Sequence, residues 1–265
     1  YNYLSGNGRK TITGTDIDSL IKDKDKIEAF LDQAFSEKLF KIDRPGYRPH
    51  YNGLQLLNRN VLFLYINRLL RLDKANAPFD IIALEHDFYD NMSLEVNGQR
   101  RVLRLGGQVD RLDRIGGQLR VVDYKTGRPL SSSAPSVDEI FNPDYVDTKH
   151  TVYYLQSFLY SDIIRGSKDA QDTFKLGGAP VAPALLFIRQ ASKANYNPIL
   201  KVKDEGQEGK RKASYTEVTD ILDVHDAFRE KLGQLLSDIL DEDKPFTPTT
   251  HKDRCDNCIY KNICG

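Results

Sequence analysis

The sequence predicts an α/β fold: a single domain over 1–265 with a mixed central β-sheet flanked by helices. Three observations predict it. Apolar residues recur at helical spacing through the first 78 residues. After Pro78 the period turns extended, and two turn signals divide the stretch into three strand-like runs. Beyond residue 150 a helical pattern is followed by a short apolar strand and later by a long amphipathic helix.

Each element follows from its residues. Ile17, Leu20, Ile21, Ile27, Leu31 and Phe35 predict a helix over 16–40, with Thr15 as its N-cap. The charge run Lys22 to Lys26 inside it is a solvated face or a joint between two helices. A loop follows at Pro45 and Gly46, then a second helix over 54–72 with Leu57, Val61, Leu64, Tyr65, Leu69 and Leu72 on its apolar side. Residues 1–78 therefore form a helical N-terminal part.

Strands are predicted over 80–91, 100–113 and 118–125, joined by turns at 97–99 and 115–118 into an antiparallel meander. A loop rich in Pro and Ser spans 128–148, and a helix covers 151–164, so that 79–165 is the core. Residues 166–250 supply an apolar strand (183–190), a polar hairpin (198–218) with a mobile tip at 203–212, and a helix over 224–240. Residues 251–265 are a cysteine-rich tail. The sequence has no internal repeat and no P-loop, so any ATPase belongs to another segment or chain.

Composition excludes several classes. Apolar residues make up 40% and charged residues 29%, the balance of a soluble globular chain. No apolar run approaches the roughly 20 residues needed to cross a membrane, and no signal peptide is visible. The net charge is zero, so a nucleic-acid surface has to be local. The three cysteines cluster in the last eleven residues, which argues against a disulfide framework and for a reducing, cytoplasmic setting or a metal site. The chain starts at Tyr1 and holds one methionine, as expected of a piece of a longer protein.

The stretch VVDYKTG (121–127) reads as a strand that ends on Asp123, Tyr124 and Lys125. Alternation places Asp123 and Lys125 on one face, with Leu119 and Val121. The preceding strand carries Asp110 after two glycines that permit a bulge or the close approach of another backbone. The turn at 115–118 folds Asp110 back towards Asp123. Two converging carboxylates repel unless something neutralises them, and a divalent cation with oxygen ligands would do so. A neighbouring lysine completes a set suited to metal-assisted phosphodiester hydrolysis. Glu85, on the first strand, extends the acidic cluster or holds the lysine. Taken alone, Asp113–Arg114 and Asp123–Lys125 are also compatible with surface ion pairs of little worth.

Together, GGQVDRLDR and GGQLRVVDYKTG resemble the core of the PD-(D/E)XK nucleases, in the branch similar to the RecB nuclease domain and its AddB relatives. Asp110, Asp123 and Lys125 match that motif one for one. Gln156 and Tyr160, in YYLQSFLY, match the Gln-x-x-x-Tyr motif of the same branch and share a helix face. The resemblance implies a restriction-endonuclease-like core and Mg²⁺ (or Mn²⁺) held by Asp110, Asp123 and the carbonyl of Tyr124. It assigns the orientation of water to Lys125 and DNA contacts to Gln156 and Tyr160. It also implies a place in a recombination and repair protein with a helicase domain or partner.

Cys255, Cys258 and Cys264 follow a C-x2-C-x5-C spacing, one thiolate short of a closed zinc or iron–sulfur site. The resemblance implies a [4Fe–4S] cluster in the longer parent, with a fourth cysteine from upstream and a metal-binding histidine on an N-terminal helix. Neither stands in this sequence before residue 50, so this stretch alone is expected to lack the cluster and to turn over weakly or not at all. His50, His86 and His150 are candidate substitutes, each read first as a surface or structural residue. Two rival readings remain: a binding module of the same fold that has lost turnover, and a zinc-stabilised structural domain.

Overall fold

A computed structural model describes residues 1–265 apart from 6–10, 43, 45–46, 130–132, 205–212, 246, 248, 250–251, 257 and 265. The expected mobile tip and the Pro45–Gly46 loop fall largely or wholly outside the described residues. The chain opens with α1 (Asn2–Ser5), β1 (Thr11–Ile12), α2 (Gly14–Lys22) and α3 (Lys24–Ala34). The N-cap of α2 is Thr13, not Thr15: Thr13 Oγ1 accepts from Asp16 N–H, and Asp16 returns to Thr13 N–H, a reciprocal capping box. Asp23 ends α2 and its side chain caps α3 through Lys26 N–H, so the charge run is a joint between two helices. A π-helical turn, Phe35–Leu39, closes α3.

Next comes α4 (Gly53–Asn76), whose predicted core side needs correcting. Leu57, Val61 and Leu64 are exposed. Phe63, Ile66 and Leu70 instead pack on Ile12, Ile17, Ile27 and Phe79, while Tyr65, Leu69 and Leu72 cover the sheet beside Val122, Ala184 and Leu186. The first half of α4 is apolar on more than one side, so periodicity alone does not select the buried face.

The sheet is built from β1, β2 (Phe79–Val96), β3 (Gln99–Ile115), β4 (Gln118–Lys125) and β5 (Val181–Phe187), in that spatial order. Pairing is antiparallel from β1 to β4 and parallel between β4 and β5, which makes the sheet mixed as expected. Both hairpins close on two residues of positive φ, Asn97–Gly98 and Gly116–Gly117, whose twist matches that of the strands. Every residue of β5 is buried, and the strand stops at Phe187 because Arg189 and Gln190 enter a turn.

Between β4 and β5 lie α5 (Val137–Ile140), a 3-10 turn, α6 (Val146–Lys149), α7 (Thr151–Gly166) and α8 (Lys168–Phe174). The loop expected over 128–148 thus holds two short helices. α5 is capped by the Ser136–Glu139 box, α6 has no side-chain cap, and four residues are too few to show a period. The polar hairpin forms as β6 (Lys201–Lys203) and β7 (Tyr215–Glu217) in a separate two-stranded sheet. The chain ends with α9 (His225–Leu240), α10 (Lys252–Asp256) and α11 (Lys261–Cys264). The main core lies between one sheet face and α7 and α9, with Leu112, Leu119, Val121, Phe158 and Phe228 at its centre.

The opposite face carries a buried ionic network. Arg111 is fully buried and contacts Asp73 at 2.7 Å and Asp113 at 2.6 Å. Arg120 grips Asp113 through two hydrogen bonds of 2.9 and 2.7 Å. Asp113 is therefore not a surface partner of Arg114, which instead donates to Leu176 O at 3.1 Å.

Candidate active site

β4 delivers Asp123 and Lys125 to the same face, as alternation requires. Lys125 Nζ lies 2.5 Å from Asp123 Oδ2, and the two side chains are only 18% and 14% exposed. The pair is therefore not a surface ion pair. The approach is close but poorly directed, and Asp123 Oδ2 makes no hydrogen bond of normal geometry.

Asp110 arrives from β3. The last regular pair of the β3–β4 ladder is Arg111 with Val122. One step further along the same register sets Asp110 against Asp123. The ladder stops there, and Asp110 Oδ2 accepts the backbone N–H of Tyr124 at 2.9 Å.

Glu85 arrives from β2. Leu84 pairs with Arg111 and His86 with Val109, so Glu85 stands opposite Asp110. Its φ of 47° lies in the left-handed region, uncommon for a residue other than glycine, asparagine or aspartate. Across from it, Val109 and Leu112 enter the same core cluster although they are three residues apart. Strict alternation forbids that, so β3 wrinkles at Asp110 and Arg111. Glu85, Asp110 and Asp123 thus form a row across three strands at the point where regular pairing gives way.

Burial pushes the Asp123 carboxyl above the usual carboxylate range; the nearby Asp110 charge adds to this, and Lys125 opposes it. Burial raises Glu85 as well, again reinforced by Asp110 and opposed by Lys38 from the π-turn. Two carboxyls that resist ionisation beside a third charge are a site short of positive charge. Oxygen donors of this type suit a hard divalent cation. Among the described residues, no three His, Cys, Asp or Glu side chains are gathered closely enough to form a metal site. The Lys125 contact on Asp123 and the Tyr124 N–H on Asp110 each occupy a carboxylate oxygen that a cation would need.

Gln156 and Tyr160 project together from α7, and Gln156 Nε2 donates to Tyr160 Oη at 3.4 Å. The two glycines of β3 explain how α7 comes this near. A Cβ at Gly107 would lie 2.5 Å from Tyr160 Oη, and one at Gly106 would lie 2.0 Å from Phe88 O. Gly106 has a φ of 144°, open only to glycine at no strain. The close approach expected at this pair is therefore made by a backbone at Gly106 and by a side chain at Gly107.

Two residues at the site are absent from the motif. Lys125 Nζ sits 4.5 Å above the Tyr153 ring, and His150 stacks on that ring at 5.6 Å with planes 12° apart. An aromatic residue on an apolar helix reads as core, and only its position three residues before Gln156 hints otherwise. His50 is exposed, and His86 packs edge-on against Phe88 and Phe174.

In the tail, Cys258 N–H donates to Cys255 O at 3.1 Å and Tyr260 N–H approaches Cys258 Sγ at 3.4 Å. Cys255 and Cys258 are free thiols, partly buried. The side chain of Cys264 lies outside the described residues. Arg254 ties α10 to the segment before α7 through Asp147 at 2.8 Å and Pro143 O at 3.0 Å. Among the described residues, no helix is long and apolar enough to cross a membrane.

A family model described as the PD-(D/E)XK nuclease superfamily matches residues 10–265. No curated protein and no solved structure matches the chain.

Proposed function

Since the chain belongs to the PD-(D/E)XK nuclease superfamily, we propose that it hydrolyses DNA phosphodiester bonds, with Mg²⁺ or Mn²⁺, as the exonuclease part of a larger recombination and repair protein. The observation that carries this reading is the apposition of Asp110 and Asp123 at the end of the β3–β4 ladder, with Lys125 at 2.5 Å from Asp123. The chemistry fits: the donors are hard oxygens, and Asp123 Oδ2 is buried without a directed hydrogen bond.

Asp110, Asp123 and the carbonyl oxygen of Tyr124 would hold the cation, and Glu85 extends the acidic row. When bound, such a cation acidifies water and polarises a phosphoryl oxygen. With Asp123 serving as a ligand, Lys125 would be released from it. Its ammonium is then free to hold the attacking water or a phosphate oxygen. Gln156 and Tyr160, side by side on α7, face the strand being cut and fix its position.

Cys255, Cys258 and Cys264 would supply three of the four thiolates of a [4Fe–4S] cluster, with the fourth from elsewhere in the parent protein. The helicase that feeds DNA to the site is a further domain or a partner subunit. The test is degradation of linear DNA by the full-length protein that carries this chain. Acid-soluble product in Mg²⁺ or Mn²⁺ and none in EDTA is the expected result. Cleavage that persists in EDTA, or none with either cation, contradicts the reading.

One observation favours a second reading. The Lys125 contact closes off Asp123, and among the described residues no three-ligand cluster is assembled. A nucleic-acid-binding domain without turnover would look the same, and it would bind DNA in the same assay without cutting it.

A further inference from the structure

We propose that Tyr153 is a positioning residue for the Lys125 ammonium, with His150 stacked against it as a brace. This rests on the nuclease reading and deepens it.

The geometry points to a dedicated seat. Lys125 Nζ has two neighbours of opposite character: Asp123 Oδ2 at 2.5 Å and the Tyr153 ring at 4.5 Å. Only one of them remains available during turnover. Once Asp123 serves as a ligand, its oxygens are shared, and the ion pair weakens. A lysine on a four-carbon stem would then sample many rotamers and lose the fixed placement that water orientation demands. The ring face attracts the ammonium through its quadrupole. It carries no charge, so it neither competes for the cation nor takes the proton. It is thus a support that survives ligand exchange at Asp123.

The ring itself is held. Tyr153 packs against the main core, and the His150 ring lies nearly parallel to it, 5.6 Å away. His150 has a φ of 53° and is both the last residue after α6 and the N-cap of α7, where its side chain makes no cap hydrogen bond. With no helix end to cap, the His150 ring is left to lie on Tyr153.

The test is steady-state nuclease kinetics on Tyr153→Leu and Tyr153→Phe in the full-length protein, with Lys125→Ala as reference and thermal melting beside each. Tyr153→Leu keeps an apolar filler and removes the ring face. It is expected to lower kcat about tenfold, with KM for DNA within about twofold and an unchanged melting temperature. Tyr153→Phe keeps the ring face and is expected to restore kcat to within about threefold. If Tyr153→Leu retains wild-type kcat while Lys125→Ala is dead, the seat is wrong and the nuclease reading stands. If Tyr153→Phe falls as far as Tyr153→Leu, the hydroxyl acts instead of the ring, and the proposal is overturned. A Lys125→Ala protein with full turnover removes Lys125 from the catalytic machinery and overturns the seat with it, whereas a wild-type protein with no turnover in Mg²⁺ or Mn²⁺ removes the nuclease reading itself.

Discussion

Asp110 Oδ2 accepts the backbone N–H of Tyr124 at 2.9 Å, so the carboxylate proposed for the metal also finishes the sheet. The two roles separate by substitution. Asp110→Asn keeps an acceptor oxygen for Tyr124 and removes the charge. Asp110→Ala leaves the N–H without its partner, which costs about 1–3 kcal/mol. Both variants are expected to lose nuclease activity, but only Asp110→Ala is expected to unfold at a clearly lower urea concentration. Equal midpoints for the two would show that the hydrogen bond carries no stability.

The raised Asp123 carboxyl sets a pH dependence. Its folded form holds the proton more tightly than the unfolded chain does, chiefly through burial. Between the two pKa values the folded state binds more protons, so this group's contribution to stability falls as pH rises through that window, and it stays low above it. Asp123→Asn removes that loss. In EDTA, the variant is expected to melt above wild type at pH 7, and the gap should close towards about pH 4, near the unfolded carboxyl value. A variant that melts below wild type at neutral pH would contradict this assignment.

Gly106 and Gly107 should differ in kind. Gly106→Ala drives a Cβ into Phe88 O and forces φ 144° on an alanine, so soluble folded protein is not expected. Gly107→Ala meets only the tip of Tyr160, which can move. That variant is expected to fold and to bind DNA more weakly, as read by fluorescence anisotropy at fixed salt. Wild-type affinity would mean that Tyr160 does not touch DNA.

The ionic network below the site is a structural element. Asp113→Ala leaves Arg120 buried without its carboxylate and Arg111 with Asp73 alone, at a cost of about 3–5 kcal/mol. Chemical denaturation should show this loss, while Asp113→Asn, which retains the hydrogen-bonding shape, is expected to lose less.

Much of the fold was legible, because alternation, glycine turns and helical periods are local signals. The meander over β2 to β4 and the placement of Asp110 opposite Asp123 at the end of the β3–β4 ladder follow from residues close in sequence. What was not legible depends on distant partners. Asp113 looked like a surface acid beside Arg114; it is buried because Arg111, Arg120 and Asp73 converge from three elements. On α4, Leu57, Val61 and Leu64 carried the helical period as well as Phe63, Ile66 and Leu70 did, and only the neighbouring helices and sheet decide which face is covered. Thr13 was missed as a cap by two residues because both threonines precede the same apolar run. Tyr153 was missed because its contact is with an ammonium from a strand that precedes it by 28 residues.

The most direct measurement is turnover of linear DNA by the full-length protein beside its Lys125→Ala variant, in Mg²⁺, with thermal melting of both. Lys125→Ala is expected to lose turnover by several orders of magnitude and to melt within a few degrees of wild type, since the side chain ends on a strand rim and contributes little packing. Wild-type turnover in Lys125→Ala, or a loss explained wholly by unfolding, would contradict it.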